Sequence, residues 1–307
     1  MAQAPSRTAR AALATIAFAL AAATVHAATP EEAAQQAFAD AKQASRAGPA
    51  DIELASQGVL HLPAEHIFVP QPQAGKLLNA MGNPGQDPKL HGLVFPAGGG
   101  GWFVTVRFEP AGYVKDDDAR DWKADELLKS YQEGTEASNE ARQKMGAPAI
   151  EVLGWAEKPA YDAAAHRLVW AMSSREKGAP ADAAQGVNYN TYALGREGYF
   201  SLNLVTDLPQ LPAHKPAAQA LLGALAYKDG KRYADFKEGE PIAEYGLAAL
   251  VVGVAAKKLG LIAIALAFFA KFAKLILIGL ALVGGSAFKI FKRKPKVSDV
   301  NSPPGQT

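Results

Sequence analysis

Tyr161, Asp162 and His166 are the grouping in this sequence closest to an acid–base centre: a phenol, a carboxylate and an imidazole within one short stretch. A histidine beside a carboxylate can take up and return a proton near neutral pH. At a strand edge the same residues also make a hydrogen-bonded turn, because an Asp side chain closes onto backbone N–H groups just after it. The turn is the expected role. Asp116, Asp117 and Asp118 form a second candidate. Three carboxylates can hold a divalent cation, but this spacing is not that of an EF-hand loop. Acids just before a helix stabilise its N-terminus, and a helix is predicted to follow.

Other motifs fail on their local structure. His61, Glu65 and His66 superficially resemble a zinc set, but Pro63 prevents the helix that would align two imidazoles. The glycines Gly98–Gly101 lack a Gly-Lys-Ser/Thr ending and lead into a strand, so no helix N-terminus faces an anion. There is no Gly-x-Ser-x-Gly elbow. The absence of cysteine excludes disulfides, thiolate metal sites, a cysteine nucleophile and a lipidated cysteine. The sequence therefore assigns no catalytic residue, no metal ligand and no cofactor. Asp116, Asp117, Asp118, Tyr161, Asp162 and His166 stand as candidates for a functional surface.

The elements that must position them are short. Thr29-Pro30-Glu31-Glu32 predicts an N-cap and a helix to about Arg46 that packs weakly, with Phe38 its only large apolar residue. Strands are predicted over Ile52–Ala55, Val59–Leu62, Ile67–Val69, Leu93–Phe95, Trp102–Phe108, Val152–Trp155 and His166–Met172. Asn188–Leu194 and Tyr199–Val205 read as a hairpin turned at Gly195–Gly198. Helices are predicted over Gln73–Met81, Trp122–Lys144 and Pro216–Tyr227, and Lys231–Pro241 reads as a polar linker. This order implies an α+β fold, a mainly antiparallel sheet with two or three packed helices, followed by a C-terminal transmembrane helix.

The C-terminal expectation rests on Tyr245–Phe291. Between Gly246 and Phe288 the only charged residues are Lys257, Lys258, Lys271 and Lys274. A span needs roughly 20 mostly apolar residues, and the uninterrupted runs are shorter, so a span within Leu259–Phe288 must carry lysines. A lysine costs about 2.5–3.5 kcal/mol at mid-bilayer and less where it snorkels to the headgroups. Gly246–Ala256 would then be an interfacial helix or the top of a long tilted one. On an ideal helix Lys257, Lys271 and Lys274 share an arc of about 100°, which leaves two roles open: plain anchor, or a lysine-lined face in an oligomer. Lys289, Lys292, Arg293, Lys294 and Lys296 mark a cytoplasmic flank.

At the other end, Arg7 and Arg10, the apolar run Ala11–Ala23 and Val25-His26-Ala27 read as a secretory signal cleaved after Ala27. The expected organisation is a signal peptide at 1–27, a helical lead-in at 28–50, an exported domain at 51–243, a membrane anchor at 244–291 and a basic tail at 292–307. From Ala28 to Glu244 there are 21 Lys and Arg against 29 Asp and Glu, a net charge of −8. That acidic balance argues against nucleic acid as a partner. The expected partners are the lipid bilayer and another envelope protein or a second copy of the chain.

Several phrases in order carry a family resemblance. They include Gly75-Lys76-Leu77-Leu78 with Met81-Gly82-Asn83-Pro84, Gly112–Ala119, Glu133-Gly134-Thr135-Glu136, Pro159-Ala160-Tyr161-Asp162, Asn188-Tyr189-Asn190, Gly230–Phe236 and Ala243–Leu250. The chain resembles the bacterial membrane-anchored proteins of the domain of unknown function 2167, from about Ile52 to the lysine-bearing apolar block. The resemblance implies an exported domain tethered by a C-terminal membrane segment; with the signal and the basic flank, the expected location is the bacterial inner membrane, with the domain in the periplasm and the tail in the cytoplasm. It brings no catalytic role to any residue. The expected function is a non-catalytic binding or adaptor module, the alternatives being an envelope hydrolase using carboxylates with His166, or an oligomeric membrane protein.

Overall fold

The strand Tyr199–Asp207 shows how the chain builds two faces at once. Phe200, Leu202 and Leu204 pack into one apolar cluster, and the residues between them face the other way. The computed structural model describes residues 29–253 except 82, 84, 121 and 145–147. The main sheet has eight strands, all paired antiparallel, in the order β1-β4-β5-β6-β10-β9-β8-β7. They are β1 (Arg46–Ala47), β4 (His66–Pro70), β5 (Leu90–Pro96), β6 (Phe103–Glu109), β10 (Tyr199–Asp207), β9 (Gly186–Leu194), β8 (Arg167–Glu176) and β7 (Ile150–Asp162). A smaller sheet joins β11 (Leu225–Tyr227), β3 (Gly58–Leu62) and β2 (Ala50–Leu54).

The first face of the main sheet is apolar along β6 and β10. Val104, Val106, Phe108, Phe200, Leu202 and Leu204 pack there against Ile52, Leu54, Leu60 and Leu62 of the small sheet and against helix α4 (Leu211–Gly223). The second face carries two separate apolar clusters. At one end α1 (Pro30–Ala44) and α2 (Gln73–Ala80) cover Leu93, Phe103 and Val205. At the other, α3 (Ala124–Lys144) and the short α5 (Leu247–Val252) cover Leu168, Trp170 and Met172. The fold is α+β, with a large antiparallel sheet and a few helices.

Three elements differ from the sequence expectation. Helix α1 has its capping box, Thr29 with Glu32, but it docks onto α2 instead of packing weakly. Its contact is made by Ala37 and Ala41, small enough to bring two helices close, while Phe38 points outward. The helix expected over Pro216–Tyr227 begins earlier, holds Pro216 inside, and ends at Gly223, freeing Leu225–Tyr227 to pair with β3. The stretch read as a polar linker is folded onto the domain. Tyr233 is buried and its hydroxyl donates to the Val114 carbonyl at 2.8 Å, and Glu240 pairs with Arg196.

No helix among the described residues is long and apolar enough to cross a membrane. The predicted signal, the main span within Leu259–Phe288, the basic tail and the lysines Lys257, Lys271 and Lys274 lie outside the described residues.

The β9–β10 hairpin depends on one glycine. Gly198 has φ of +155°, and a Cβ there would overlap the Glu109 carbonyl. Gly198→Ala is expected to lower the unfolding free energy by about 2 kcal/mol or more, measured by denaturant titration. A change below about 0.5 kcal/mol, the level of an ordinary surface substitution, would contradict this account of the turn.

Candidate functional site

The turn joining β7 to β8 brings the first candidates together. Tyr161 is the penultimate residue of β7, and His166, in the left-handed region at φ of +50°, is the last residue of the turn before β8. Asp162 shapes the turn: its Oδ1 accepts the N–H groups of Ala164 and Ala165 at 2.9 and 3.1 Å. That is the expected Asx-type role, and it commits this carboxylate to the backbone. Asp116 arrives from the loop after β6. The Tyr161 hydroxyl donates to Asp116 Oδ2 at 2.6 Å and lies 3.2 Å from His166 Nδ1. A phenol has one proton. With that proton given to Asp116, the contact to His166 is a hydrogen bond only if Nδ1–H donates to the phenolic oxygen. The three groups thus form a chain running from His166 through Tyr161 to Asp116. His166 Nδ1 and Asp116 Oδ2 are 3.8 Å apart.

An aromatic stack backs this chain. His166 lies on Tyr233 with centroids 4.1 Å apart, Tyr233 on Tyr113 at 4.4 Å, and Tyr113 on Phe236 at 4.0 Å. Burial, then the hydrogen bond to Asp116, pushes the Tyr161 hydroxyl well above the ordinary phenol value. Burial likewise raises Tyr233. Both are therefore neutral hydrogen-bonding groups across the physiological range, and Tyr161 acts as a donor, not as a base.

Asp118 does something else. Its Oδ1 accepts the Leu247 N–H and its Oδ2 the Ala248 N–H, both at 3.0 Å. These are the first two residues of α5, so Asp118 caps a helix far along the chain. The helix expected to benefit, α3, instead has Asp125 and Glu126 in its own first turn. Close approach is possible because residue 246 is glycine: a Cβ there would stand 2.5 Å from Asp118 Oδ2. Asp117 is exposed at the start of a short 3-10 turn, Asp117–Arg120. Among the described residues, no three His, Asp or Glu side chains are grouped to hold a metal ion.

The structure thus joins Asp116, Tyr161 and His166, sets Asp162 in the adjoining turn, and sends Asp118 to α5. Sequence reasoning missed Tyr113, Tyr233 and Phe236. The spacing of Tyr233 and Phe236, aromatic residues three apart in a charged stretch, was the available signal that this segment packs.

Tyrosines dominate the layer beneath α3 and α5, and their ionisation gives a pH test. Tyr161, Tyr199 and Tyr233 are raised by burial above the ordinary value of 10.0, and Tyr192 is pushed up to about 12 by burial. Such a group keeps its proton in the fold after the unfolded chain has lost its own, so its contribution to stability falls as pH rises above 10. Arg142, held down to about 10 by burial, works the other way in that window, but one group is set against several. Tyrosinate absorbance is expected to rise together with unfolding above pH 10. Tyr161→Phe, which removes the bond to Asp116, should cost about 1 kcal/mol at neutral pH. Tyrosinate formation spread over a wide range with the fold intact would contradict this.

No curated protein matches the chain. Among solved structures, the solution structure of cyanobacterial PsbP (CyanoP) from Synechocystis sp. PCC 6803 is similar at 11% identity, with a TM-score of 0.34, over 58% of this chain and 95% of that one. The family model described as protein of unknown function (DUF2167) matches residues 46–281, from β1 through the described domain into the apolar block. That match spans well over half of the sequence, and the chain belongs to the DUF2167 family.

Proposed function

We propose that this protein is held at the outer face of a bacterial inner membrane by the part of its 244–291 apolar segment that follows Gly253, and works there as a non-catalytic binding or adaptor module. The observation that carries the reading is the build of α5. The first turns of the apolar block are part of the domain: Leu247, Leu250 and Val251 are buried in it, and Asp118 caps the helix. Gly253, in the left-handed region, ends α5. The packed domain therefore reaches Gly253, and the sequence places no polar linker between it and the apolar run that follows. Such a join suits a protein that must present a fixed surface at a set height above the bilayer. The partners would be the lipid bilayer and another envelope protein or a second copy of the chain.

One observation favours a second reading, an envelope hydrolase: Asp116 and His166 do come together. The Tyr161 hydroxyl between them argues for the structural role, because it gives its proton to the carboxylate that a base would need free. Turnover of cell-wall, phosphoester or ester substrates by the full-length protein, lost on His166→Ala, would decide for the hydrolase.

The anchored reading is tested by reporters. Alkaline phosphatase fused after Gly253 is expected to be active and a cytosol-only reporter fused after Thr307 to fluoresce. An inactive phosphatase would contradict export, and a dark C-terminal reporter would contradict the single span. Co-purification of one envelope protein in fixed ratio with the full-length chain is expected of an adaptor.

A further inference from the structure

The face of α3 turned to the sheet changes character along its length. Spaced by one turn each, it reads Leu127, Tyr131, Thr135, Ser138 and Arg142. The first two pack with Leu168 and Trp170. The next three are polar, and all are buried: Thr135 is 2% exposed, Ser138 7% and Arg142 0%. Helix α3 is fixed along β7 by the Trp155 indole N–H donating to the Ala124 carbonyl and the Gln132 amide donating to the Val152 carbonyl. A two-way bond between the Asn139 side chain and the Ile150 backbone, 2.9 Å in each direction, completes the attachment. By strand register Val152 pairs with Ser174, and Met172 with Asn188. The polar half of α3 therefore lies level with Ser174 of β8, and Asn188 of β9 sits further along, opposite Met172; both are buried.

This layer holds groups without partners. The Arg142 Nε donates to the Pro148 carbonyl at 3.0 Å, but neither Nη1 nor Nη2 has a hydrogen-bond partner, and both are sealed from solvent. The Thr135 hydroxyl, the Trp170 indole N–H and the Asn188 Oδ1 are also buried and unpartnered. The Arg142 charge is felt at Tyr131, three turns earlier on the same face. Thr135 and Arg142 lie two turns apart on the same face of α3, and both are buried. A buried guanidinium with two bare nitrogens is among the costliest arrangements a fold can hold, unless something pairs with it. Most of the orphan groups here are donors, which suit an acceptor with negative charge.

We propose that the layer between the C-terminal half of α3 and strands β8 and β9 binds a small oxyanion-bearing ligand, a carboxylate or a phosphate, gripped by Arg142 with the Thr135 hydroxyl. The two Nη groups present the planar fork that matches two oxygens of one such anion, which a spherical halide cannot fill. Thr135 adds a hydroxyl from two turns up the same face. The inference goes beyond the membrane reading and stands without it.

The test uses the full-length protein in detergent micelles, with thermal unfolding followed by tryptophan fluorescence. Inorganic phosphate, succinate and chloride are titrated separately at constant ionic strength. The expected result is a saturable rise in Tm with phosphate or with succinate and none with chloride, the stronger of the two anions naming the ligand class. Arg142→Met is expected to abolish the response while leaving the ligand-free protein at least as stable, because the unpaired charge is gone. Thr135→Val is expected to fold and to weaken the response about tenfold; it decides the matter if Arg142→Met fails to fold. No saturable response to either oxyanion, a response matched by chloride, or an unchanged response in the variant that folds would each overturn the proposal.

Discussion

The carboxylate of Asp118 on the first two N–H groups of α5 is the constraint on which the arrangement of this end of the molecule depends. A helix of six residues does not hold itself in water, because nucleation is unfavourable and too few intrahelical bonds follow. It persists here through burial and capping together. Burying Leu247, Leu250 and Val251 is worth roughly 1.5–3 kcal/mol for each side chain as an upper bound. A charged cap contributes about 1 kcal/mol, up to about 2 where it is partly buried. Burial therefore supplies most of the stability, and the cap decides where the helix begins and which way it points. Asp118 is itself placed by its neighbours. Asp116, two residues before it, is tied to Tyr161 at the end of β7, so a strand edge, a loop and the start of the apolar block are linked in series.

The two faces of the main sheet serve different ends. The first is apolar and closed by the small sheet and α4, a rigid backing for everything else. On the second, two apolar clusters are separated by polar positions of the central strands: Thr105 and Arg107 of β6, Ser201 and Asn203 of β10, and Asn188 and Asn190 of β9. Several of these are satisfied locally. Arg107 donates to Asp87 and to Thr105, both at 2.6 Å, and Asn190 donates to the Asn188 carbonyl. Others carry orphan atoms, Asn188 in the layer proposed to bind the anion among them.

Elements with a local signal were legible from the sequence. Alternation gave the central strands, the glycines at Gly195 and Gly198 gave the hairpin, and Thr29 with Glu32 gave the start of α1. What could not be read depends on partners distant in sequence. Nothing in Asp116-Asp117-Asp118 says that one acid meets a tyrosine in a strand edge and another caps a helix after Gly246. The Lys231–Pro241 stretch looks polar because its charges are visible and its single buried anchor, Tyr233, is not. The docking of α1 was hidden because alanines make it. The turn role of Asp162 was legible, being a contact with its own backbone. Arg142 carried no signal at all, since a lone arginine near a helix C-terminus ordinarily faces water.

Hydrogen exchange across Leu247–Val252 in the full-length chain tests the central claim most directly. The account predicts that these amides exchange as slowly as those of β9 and β10. It also predicts that Asp118→Ala speeds exchange in this segment while the strands keep their protection. Exchange in the wild type at the rate of an exposed loop, or protection untouched by Asp118→Ala, would contradict it.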